Sequence, residues 1–480
     1  MTVRIPRDYQ VALRDFALEN PRVNWWAGTG TGKTGSAIDT FDYLKLFGES
    51  ERMLVVSTKR IASMVWTNEL TKWENFAHLS IATAIGTPDQ RLAAIRRRAD
   101  ITTINYDNLP WLVDTVGDDW PWDLVIADES TKLKSLRVDL RHSPSGKEFM
   151  RKSGGSERAA KIARVAHKKV RRWINMTGTP APNGLIDIWG QNWFVDAGQR
   201  LGRSFSSFQN RWFRTVRVGS DQFATRLEPF AHSDAEIKSR ISDVTLTIDA
   251  RDYFDLPPLI KNVIKVTLPQ KAYEQYRLLE QEMFVEIAGE EIEAFNAGAK
   301  SMKCRQVASG AAYTGQNSGN NPSWVPVHDE KLDALHDIVT EANGAPIIVA
   351  YQFKSDLARL QKAFPQGRFF DDKPATLAAF NSGKIPLLFF HPESAAHGID
   401  GMQDVCNIIV WFSMTWNLEH FEQATERIGP TRQAQSGRNK HVYVHLLVAE
   451  NTIEEEMMRR IDTKASVQDS LKEAMKRRGV

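Results

Sequence analysis

A short glycine-rich segment carries residue types that hold phosphate. In WWAGTGTGKT an apolar run ends at Ala27, glycines alternate with threonines, and Lys33 and Thr34 follow. Glycines let consecutive backbone N–H groups curl around an anion at the start of a helix. Lys33 would supply a positive charge to the β- and γ-phosphates, and the Thr34 hydroxyl suits Mg²⁺. The strict pattern has glycine where this chain has Ala27, so a glycine-rich structural turn is the alternative. The predicted phosphate contacts are Gly28, Thr29, Gly30, Thr31, Gly32, Lys33 and Thr34.

An acidic pair follows another apolar run. The segment WDLVIADES begins at residue 122, and its apolar part ends at Asp128 and Glu129. With a phosphate-binding loop upstream, Asp128 would hold Mg²⁺ and Glu129 would orient and deprotonate the attacking water. A helix cap or surface turn is the alternative for such a pair. Lys33, Asp128 and Glu129 are therefore the predicted catalytic core of a nucleoside triphosphatase.

Two further segments are ambiguous when taken alone. INMTGTPAPNG, residues 174–184, ends a buried run in Thr177 and Thr179, which by itself indicates a turn. FEQATERIGPTRQ, residues 421–433, contains Gln423, Arg427 and Arg432. An arginine there could reach a γ-phosphate, although a charged helix end has the same composition.

Parallel strands must bring these segments together. Short apolar runs alternate with amphipathic stretches over the first 180 residues, which predicts a doubly wound parallel sheet. A second series begins near residue 346 and predicts a second α/β lobe. The predicted strands are VNWWA, MLVVS, ITTIN, WDLVIAD and WINMT in the first series, and IIVAY, PLLFF, NIIVWF and HVYVHLLV in the second.

The length of 480 residues corresponds to two to four domains, at about 100–200 residues each. Pro257 and Pro258 indicate a linker, because proline interrupts helices. SPSGKEFMRKSGGS, from residue 143, and GQNSGNNPSW, residues 315–324, are predicted to be exposed loops. The predicted domains are lobe 1 (1–185), a helical insert (186–250), a linker with a helical protrusion (251–330), lobe 2 (331–450) and a C-terminal helix (451–480).

The charge is nearly balanced but unevenly distributed. Lys and Arg number 62 against 59 Asp and Glu, a net charge of +3. Residues 132–172, the basic belt, hold 14 Lys or Arg and three acids and so carry +11. Such a belt suits a phosphate backbone and salt-dependent affinity, although a solvated surface has the same composition.

Composition excludes several classes of protein. With 42% hydrophobic and 25% charged residues, the chain is neither collagen-like nor wholly disordered. Cys304 and Cys406 alone cannot build a disulfide framework or a cysteine-rich zinc site. The amino terminus lacks an apolar signal core, and no run approaches the roughly 20 apolar residues of a membrane span. We therefore expect a cytoplasmic protein with no membrane association.

The ordered motifs resemble those of the superfamily-two helicases. The chain carries RDYQ (7–10), AGTGTGKT (27–34), DEST (128–131), MTGTP (176–180), HGID (397–400) and QATERIGPTRQ (423–433). TGTPAPN, the DLPP linker, SMTWN (413–417) and the tail NTIEEEMMRRIDTKASVQDSL are similar to the Swi/Snf-like branch, and HPESAAHGID to its bacteriophage-encoded members. The resemblance covers nearly the whole chain. It implies two RecA-like lobes that bind ATP and Mg²⁺ between them.

The resemblance also implies roles for single residues. Gln10 would recognise the adenine edge, with Arg7 nearby. Asp400 would approach the ATP ribose or the closed interface of the motor. Thr177 and Thr179 would couple the nucleotide state to the grip on nucleic acid.

The second lobe departs from the family pattern at one position. Gln423 and Arg427 would sense the γ-phosphate, but the place of the second arginine is taken by Pro430, with Arg432 two residues later. Either a changed path of the loop lets Arg432 reach the phosphate, or Arg427 acts alone. We favour a role that the two arginines share.

Nucleic-acid contacts are expected after two strands of the first lobe and in the basic belt. Aromatic rings can also stack on bases, so Trp189, Trp193 and Trp212 of the insert are candidates, whereas strand tryptophans should be core. The predicted contacts are Ser57, Lys59, Arg60, Asn105, Lys168 and Lys169.

The function expected is an ATP-dependent DNA helicase or translocase, in phage replication or recombination and so in the host cytoplasm. Alternatives are a duplex-DNA translocase that separates no strands, and a nucleotide-gated module with incidental turnover. DNA is the expected partner and RNA is possible. We expect a monomer, with other replication or recombination proteins as further partners.

Overall fold

The computed structural model forms two units, which are described separately. The first contains the described residues up to 215 and from 227 to 253. The second contains residues 216–217 and 225–226 and the described residues from 256 to 462. The described ranges are 3–28, 30–142, 148–217, 225–249, 252–253, 256–288, 302–318, 321–371, 373–395, 401–438, 440–459 and 461–462.

The first unit is a seven-stranded parallel sheet connected by helices. Its strand order is β11-β1-β8-β5-β2-β4-β3. The strands are β1 (Arg22–Ala27), β2 (Met53–Ser57), β3 (Ile81–Thr83), β4 (Ile101–Asn105), β5 (Leu124–Asp128), β6 (Leu136–His142), β7 (Glu148–Gly155), β8 (Arg172–Thr177), β9 (Phe213–Arg217), β10 (Thr225–Pro229) and β11 (Thr245–Ile248). The helices are α1 (Asp8–Glu19), α2 (Lys33–Leu46), α3 (Trp66–Lys72), α4 (Pro88–Arg96), α5 (Leu109–Val116), α6 (Glu157–Ala166), α7 (Ile186–Asp196), α8 (Phe205–Trp212) and α9 (Ser233–Ile241).

The second unit is a six-stranded parallel sheet in the order β12-β19-β18-β15-β17-β16. Its strands are β12 (Ile260–Val266), β13 (Ala311–Ser318), β14 (Asn321–Pro326), β15 (Ile347–Ala350), β16 (Arg368–Phe369), β17 (Leu387–Phe390), β18 (Ile408–Trp411) and β19 (Tyr443–Ala449). Its helices are α10 (Gln270–Ala288), α11 (Met302–Ser309), α12 (Glu330–Glu341), α13 (Lys354–Ala363), α14 (Pro374–Asn381), α15 (Pro392–Ala395), α16 (Leu418–Thr425) and α17 (Pro430–Gln435).

The prediction of two RecA-like parallel sheets is confirmed. Each of the nine apolar runs contains a strand of one of the two sheets, and β1, β2, β5 and β8 are almost wholly buried. Strands covered on both faces read as continuous apolar runs, which is why they were recognisable. The domain boundaries stay predictions. Within residues 186–250, β11 joins the edge of the first sheet beside β1.

Two segments predicted as exposed loops contain strands instead. β6 pairs with β7 as an antiparallel hairpin, and β13 pairs with β14 in the same way. Both loop predictions are therefore wrong for the strand residues. Glycine, serine and asparagine outweighed any strand signal in these two segments.

The tryptophans of the insert are core residues, and the prediction that they are stacking candidates is wrong. Trp189, Trp193 and Trp212 are 0%, 7% and 1% exposed. The indole N–H of Trp189 donates to the carbonyl oxygen of Gly202 at 2.8 Å. All three belong to the main core of the first unit, where Trp189 and Trp212 pack against Phe208 of α8.

The C-terminal segment is helical over residues 453–459, as predicted, and residues 463–480 lie outside the described part. Met457 and Ile461 are buried in the core of the second unit. Within the described ranges, no helix combines the length and apolar character needed to cross a membrane.

Candidate nucleotide site

The glycine-rich loop joins a central strand to a helix. β1 ends at Ala27 and α2 begins at Lys33. Gly30 and Gly32 have φ values of +81° and +78°, in the left-handed region that glycine adopts at little cost. Lys33 Nζ donates to the carbonyl oxygens of Ala27, at 2.7 Å, and Gly28, at 2.9 Å. The ammonium thus lies on the loop, where phosphate oxygens could replace these two carbonyls as its partners.

Gln10 of α1 covers this loop. Its Nε2 donates to the carbonyl oxygen of Thr31 at 2.9 Å, and its Oε1 accepts from Arg4 Nη2 at 3.1 Å and the backbone of Arg7 at 3.2 Å. A Cβ at Gly32 would lie 2.3 Å from Gln10 Nε2, so the Gln10 side chain would have to move, and the positive φ of Gly32 also favours glycine. Gln10 and Arg7 are therefore beside the loop, and adenine recognition stays a prediction.

Asp128 is a buried carboxylate at the end of β5. Its Oδ2 accepts from Trp66 Nε1 at 3.0 Å and from the Ser57 hydroxyl at 3.1 Å. Burial raises the pKa of Asp128, while these hydrogen bonds and the Lys33 charge oppose that rise. The two side-chain donors share one oxygen, so Oδ1 is the oxygen that they leave for a metal ion.

Glu129 has an unusual backbone. Its φ is +60°, a left-handed conformation that costs a non-glycine residue about 1–2 kcal/mol. The Tyr106 hydroxyl donates to the carbonyl oxygens of Asp128, at 2.9 Å, and Glu129, at 3.3 Å. The Tyr106 hydroxyl therefore stabilises the backbone turn that carries the Glu129 carboxylate. Strained backbone of this kind is concentrated at functional sites.

Thr177 and Thr179 lie at the same edge of the sheet. β8 pairs with both neighbouring strands, with Trp26 opposite Thr177 and Asp128 opposite Met176. The Thr179 backbone N–H donates to Thr177 Oγ1 at 3.0 Å, which closes the turn. The phosphate loop, the acidic pair and these threonines are therefore adjacent at the carboxyl ends of β1, β5 and β8.

The remaining predicted nucleotide contacts lie in the second unit or outside the described part. Gln423 is buried on α16, and its Nε2 donates to Glu419 Oε1 at 3.3 Å. Arg427 follows this helix and is also buried. Pro430 is the first residue of α17, a position at which the missing N–H of proline breaks no helical hydrogen bond. Arg432 is the third residue of this six-residue helix. Thr29 and Asp400 fall outside the described residues.

Two predicted nucleic-acid contacts are not surface residues. Ser57 is fully buried on Asp128, and Asn105 is buried against Asn108. The prediction that these two side chains contact nucleic acid is therefore corrected, because their polar groups form hydrogen bonds inside the protein at the ends of β2 and β4. Lys59 is exposed and Arg60 is half-buried after β2, and their contacts stay predictions.

The basic belt is partly neutralised by acids from elsewhere in the chain. In the described part of the chain, at least seven of its cations form ion pairs, and six of these seven carboxylates lie outside residues 132–172. Lys169 pairs with Asp118, for example, at 2.9 Å. Lys168 and Lys169 precede β8, so they lie at the edge of the sheet opposite the phosphate loop. Their contact with nucleic acid stays a prediction.

Sequence reasoning missed the residues that support the carboxylates. Trp66 donates to Asp128 from 62 positions upstream, and Tyr106 bonds its carbonyl oxygen from 22 positions upstream. Neither belongs to a recognisable local motif. Only the fold shows that α3 and the end of β4 face the end of β5.

A phosphate loop between a central parallel strand and a helix, with an acidic pair on a nearby strand, defines a P-loop NTPase. Protein p41 of Acyrthosiphon pisum secondary endosymbiont phage 1 is 46% identical to this chain over 475 residues, which cover 98% of this chain and 99% of p41. The chain belongs to the family of this phage protein, and its sequence is similar to that of Swi/Snf-like superfamily-two helicases. Its site is that of an ATPase.

More distant similarities extend over most of the chain. The SWI/SNF-related matrix-associated actin-dependent regulator of chromatin subfamily A member 1 of Mus musculus is 22% identical over 471 residues. That match covers 91% of this chain but 40% of the mouse protein. The crystal structure of the Pyrococcus furiosus Hef helicase domain shares the fold, with a TM-score of 0.53 and 14% identity, over 96% of this chain and 99% of that one. No protein-family model matches the chain.

Proposed function

We propose that this chain is a motor that hydrolyses ATP at the phosphate loop of the first unit and uses the cycle to move along DNA. The observation that carries the proposal is the strand register. It places Lys33, Asp128, Glu129 and Thr177 at adjacent carboxyl ends of one parallel sheet. A charge for phosphate, a carboxylate for a metal ion and a second carboxylate for water are the parts that ATP hydrolysis needs.

The residues fit a magnesium ion held together with ATP. Thr34 and Asp128 offer a hydroxyl and a carboxylate oxygen, which are hard ligands. In the described part of the chain, no group of three or more His, Cys, Asp or Glu could hold a metal by itself. This agrees with Mg²⁺, which keeps several waters and takes phosphate oxygens as ligands. When bound, the ion would neutralise phosphate charge.

Each protein group has a separate task in this proposal. Lys33 exchanges its loop carbonyls for phosphate oxygens, and Glu129 orients the attacking water and accepts its proton. Thr177 and Thr179 transmit the nucleotide state. Differential affinity is the physical requirement, because ATP shifts a conformational equilibrium only if it binds one state more tightly.

The second unit contributes the residues that respond to the γ-phosphate. Gln423 and Arg427 have this role by family resemblance, with Arg432 and Asp400 as further contributors. Arg432 lies on the helix that Pro430 begins, so the proline is compatible with an ordered arginine two residues later.

The p41 relative supports the proposed biological setting. A homologue encoded by a phage supports a role in phage DNA replication or recombination within the host cytoplasm. Lys59, Arg60, Lys168 and Lys169 are the proposed contacts with DNA.

Steady-state ATP hydrolysis tests the proposal. The protein is assayed alone and with single-stranded DNA, duplex DNA or RNA, beside Lys33→Ala and Glu129→Gln. Lys45→Ala is the matched control, because Lys45 is on the same helix but pairs with Asp100 at 2.9 Å. Glu157→Gln is the control for the second variant, since this glutamate is exposed and pairs with Lys152.

We expect DNA to stimulate hydrolysis, and both site variants, but neither control, to abolish it. ATP binding without stimulated turnover would instead favour the nucleotide-gated module. Strand-displacement and triplex-displacement assays then separate an unwinding helicase from a translocase on duplex DNA.

A further inference from the structure

Three consecutive residues after β18 are each held by a side chain from a different helix. We name Phe412–Met414 the connector. Lys331 Nζ donates to its first carbonyl oxygen at 3.0 Å, and Arg305 Nη2 donates to its last carbonyl oxygen at 3.1 Å. Between them, the Ser413 hydroxyl donates to Asp356 Oδ2 at 2.8 Å. Side chains of α11, α12 and α13 thus converge on one short stretch of backbone.

The residues that hold the connector are themselves fixed. Lys331 also donates to both carboxylate oxygens of Glu454, at 2.7 and 2.8 Å, and both side chains are almost completely buried. Asp356 Oδ1 accepts from the Ser309 hydroxyl at 2.8 Å. The Arg305 guanidinium lies over the ring of Phe353, 5.3 Å from its centroid. Buried, hydrogen-bonded groups of this kind have little freedom to move.

The connector leads directly into the helix that carries the proposed γ-phosphate residues. α16 begins four residues after the connector, with Asn417 as its cap, and presents Gln423, with Arg427 just beyond its end. At about 1.5 Å per residue, Gln423 lies about 8 Å along the helix axis from its start. A tilt of about 10° at the connector would therefore displace these side chains by about 1–2 Å, which can cost on the order of 100-fold in rate.

We propose that Arg305, Lys331 and Asp356 are positioning residues for nucleotide hydrolysis: they fix the connector and thereby the orientation of α16. This inference rests on the proposed function, since it gives a purpose to the placement of Gln423 and Arg427. Arg305 is the informative member. It belongs to α11, in the segment that the sequence suggested only as a helical protrusion, and its described contacts are with the Met414 carbonyl oxygen and the Phe353 ring.

Arg305→Ala and Arg305→Lys test the proposal, with Arg277→Ala as the matched control. Arg277 is an exposed arginine of α10 that pairs with Glu280 on its own helix. Two experiments are done on each protein: DNA-stimulated ATP hydrolysis, which gives kcat and KM for ATP, and backbone hydrogen exchange across residues 412–427.

We expect Arg305→Ala to raise exchange across residues 412–427 and to lower kcat about 10-fold or more, with a change in KM below about threefold. Arg305→Lys should recover part of kcat, because an ammonium can still donate to the same carbonyl. The control should change neither quantity. If Arg305→Ala does not fold, Ser413→Ala removes one connector hydroxyl and gives the same two readouts.

Unchanged exchange in both Arg305→Ala and Ser413→Ala would overturn the inference, as would raised exchange with an unchanged kcat. If the wild-type protein hydrolyses no ATP, the proposed function is wrong. The exchange measurement would then decide alone whether the connector is held as described.

Discussion

The ion pair of Lys331 and Glu454 gives a quantitative prediction about stability. The side chains are 0% and 2% exposed, and the ammonium makes three hydrogen bonds, two to the carboxylate and one to Phe412. We consider Lys331→Met, Glu454→Leu and the double variant, because these apolar side chains resemble the originals in volume.

The expected costs follow from what each change leaves behind. Lys331→Met leaves a buried carboxylate whose remaining described donor is the backbone N–H of Ala449, at 2.9 Å. Breaking a buried pair in this way costs about 3–5 kcal/mol, whereas replacing both partners is often neutral or stabilising. For a unit of about 200 residues, each kcal/mol lowers Tm by about 2–4 °C, so each single variant should lose about 6–20 °C.

The free energy of unfolding and Tm of the wild type, the two single variants and the double variant are measured by urea unfolding and thermal melting. Both transitions are followed by near-ultraviolet circular dichroism. Lys261→Met is the matched control, because Lys261 pairs with Asp462 at 2.6 Å in the same unit, with side chains 34% and 55% exposed. Loss of this exposed pair should cost less than about 1 kcal/mol. The reasoning is refuted if Lys331→Met costs no more than the control, or if the double variant loses the sum of the two single losses.

Three further predictions concern the nucleotide site. Trp66→Phe removes a hydrogen bond to a charged group worth about 1.5–3 kcal/mol, so kcat/KM for ATP should fall about 10- to 100-fold. The matched Trp189→Phe, which loses a buried indole donor away from the site, should leave it unchanged. Because burial raises the pKa of Asp128, the native state binds the proton of the Asp128 carboxyl group more tightly than the unfolded chain does. Its contribution to stability is thus present at low pH and lost as pH rises through the native pKa. Asp128→Asn should abolish hydrolysis, and its Tm relative to wild type should increase from pH 4 to pH 7, about pH 4 being the unfolded carboxyl pKa; a constant difference would contradict this. Gly32→Ala should weaken binding of an ATP analogue in calorimetry more than Gly48→Ala, since both glycines have positive φ but only Gly32 faces a side chain within 4 Å.

The parallel sheets could be predicted because their strands are buried on both faces. β1, β5 and β8 are continuous apolar runs, and the motifs mark their carboxyl ends. The loop from Gly28 to Lys33 follows from the same local pattern. The strands and the phosphate loop could therefore be predicted because the pattern of each is contained within about ten consecutive residues.

The parts that could not be predicted depend on partners distant in sequence. Trp66 and Ser57 reach Asp128 over 62 and 71 positions. The charge of the basic belt was overestimated because its neutralising acids, such as Asp118, lie outside the window in which the charge was counted. Trp189 was misjudged because nothing local shows that α7 packs on the sheet.

The position of β1 in its sheet has a consequence for biosynthesis. β1 is flanked by β8 and β11, and Asn24 pairs with Thr245, a separation of 221 residues. At about 5–20 residues per second, the ribosome needs about 10–45 s to deliver the last partner of the strand that carries the phosphate loop. During that time one edge of β1 lacks its partner, and an unpaired apolar edge is a template for misassociation. A nascent chain stalled before residue 245 should therefore recruit chaperones, and one stalled well after β11 should not.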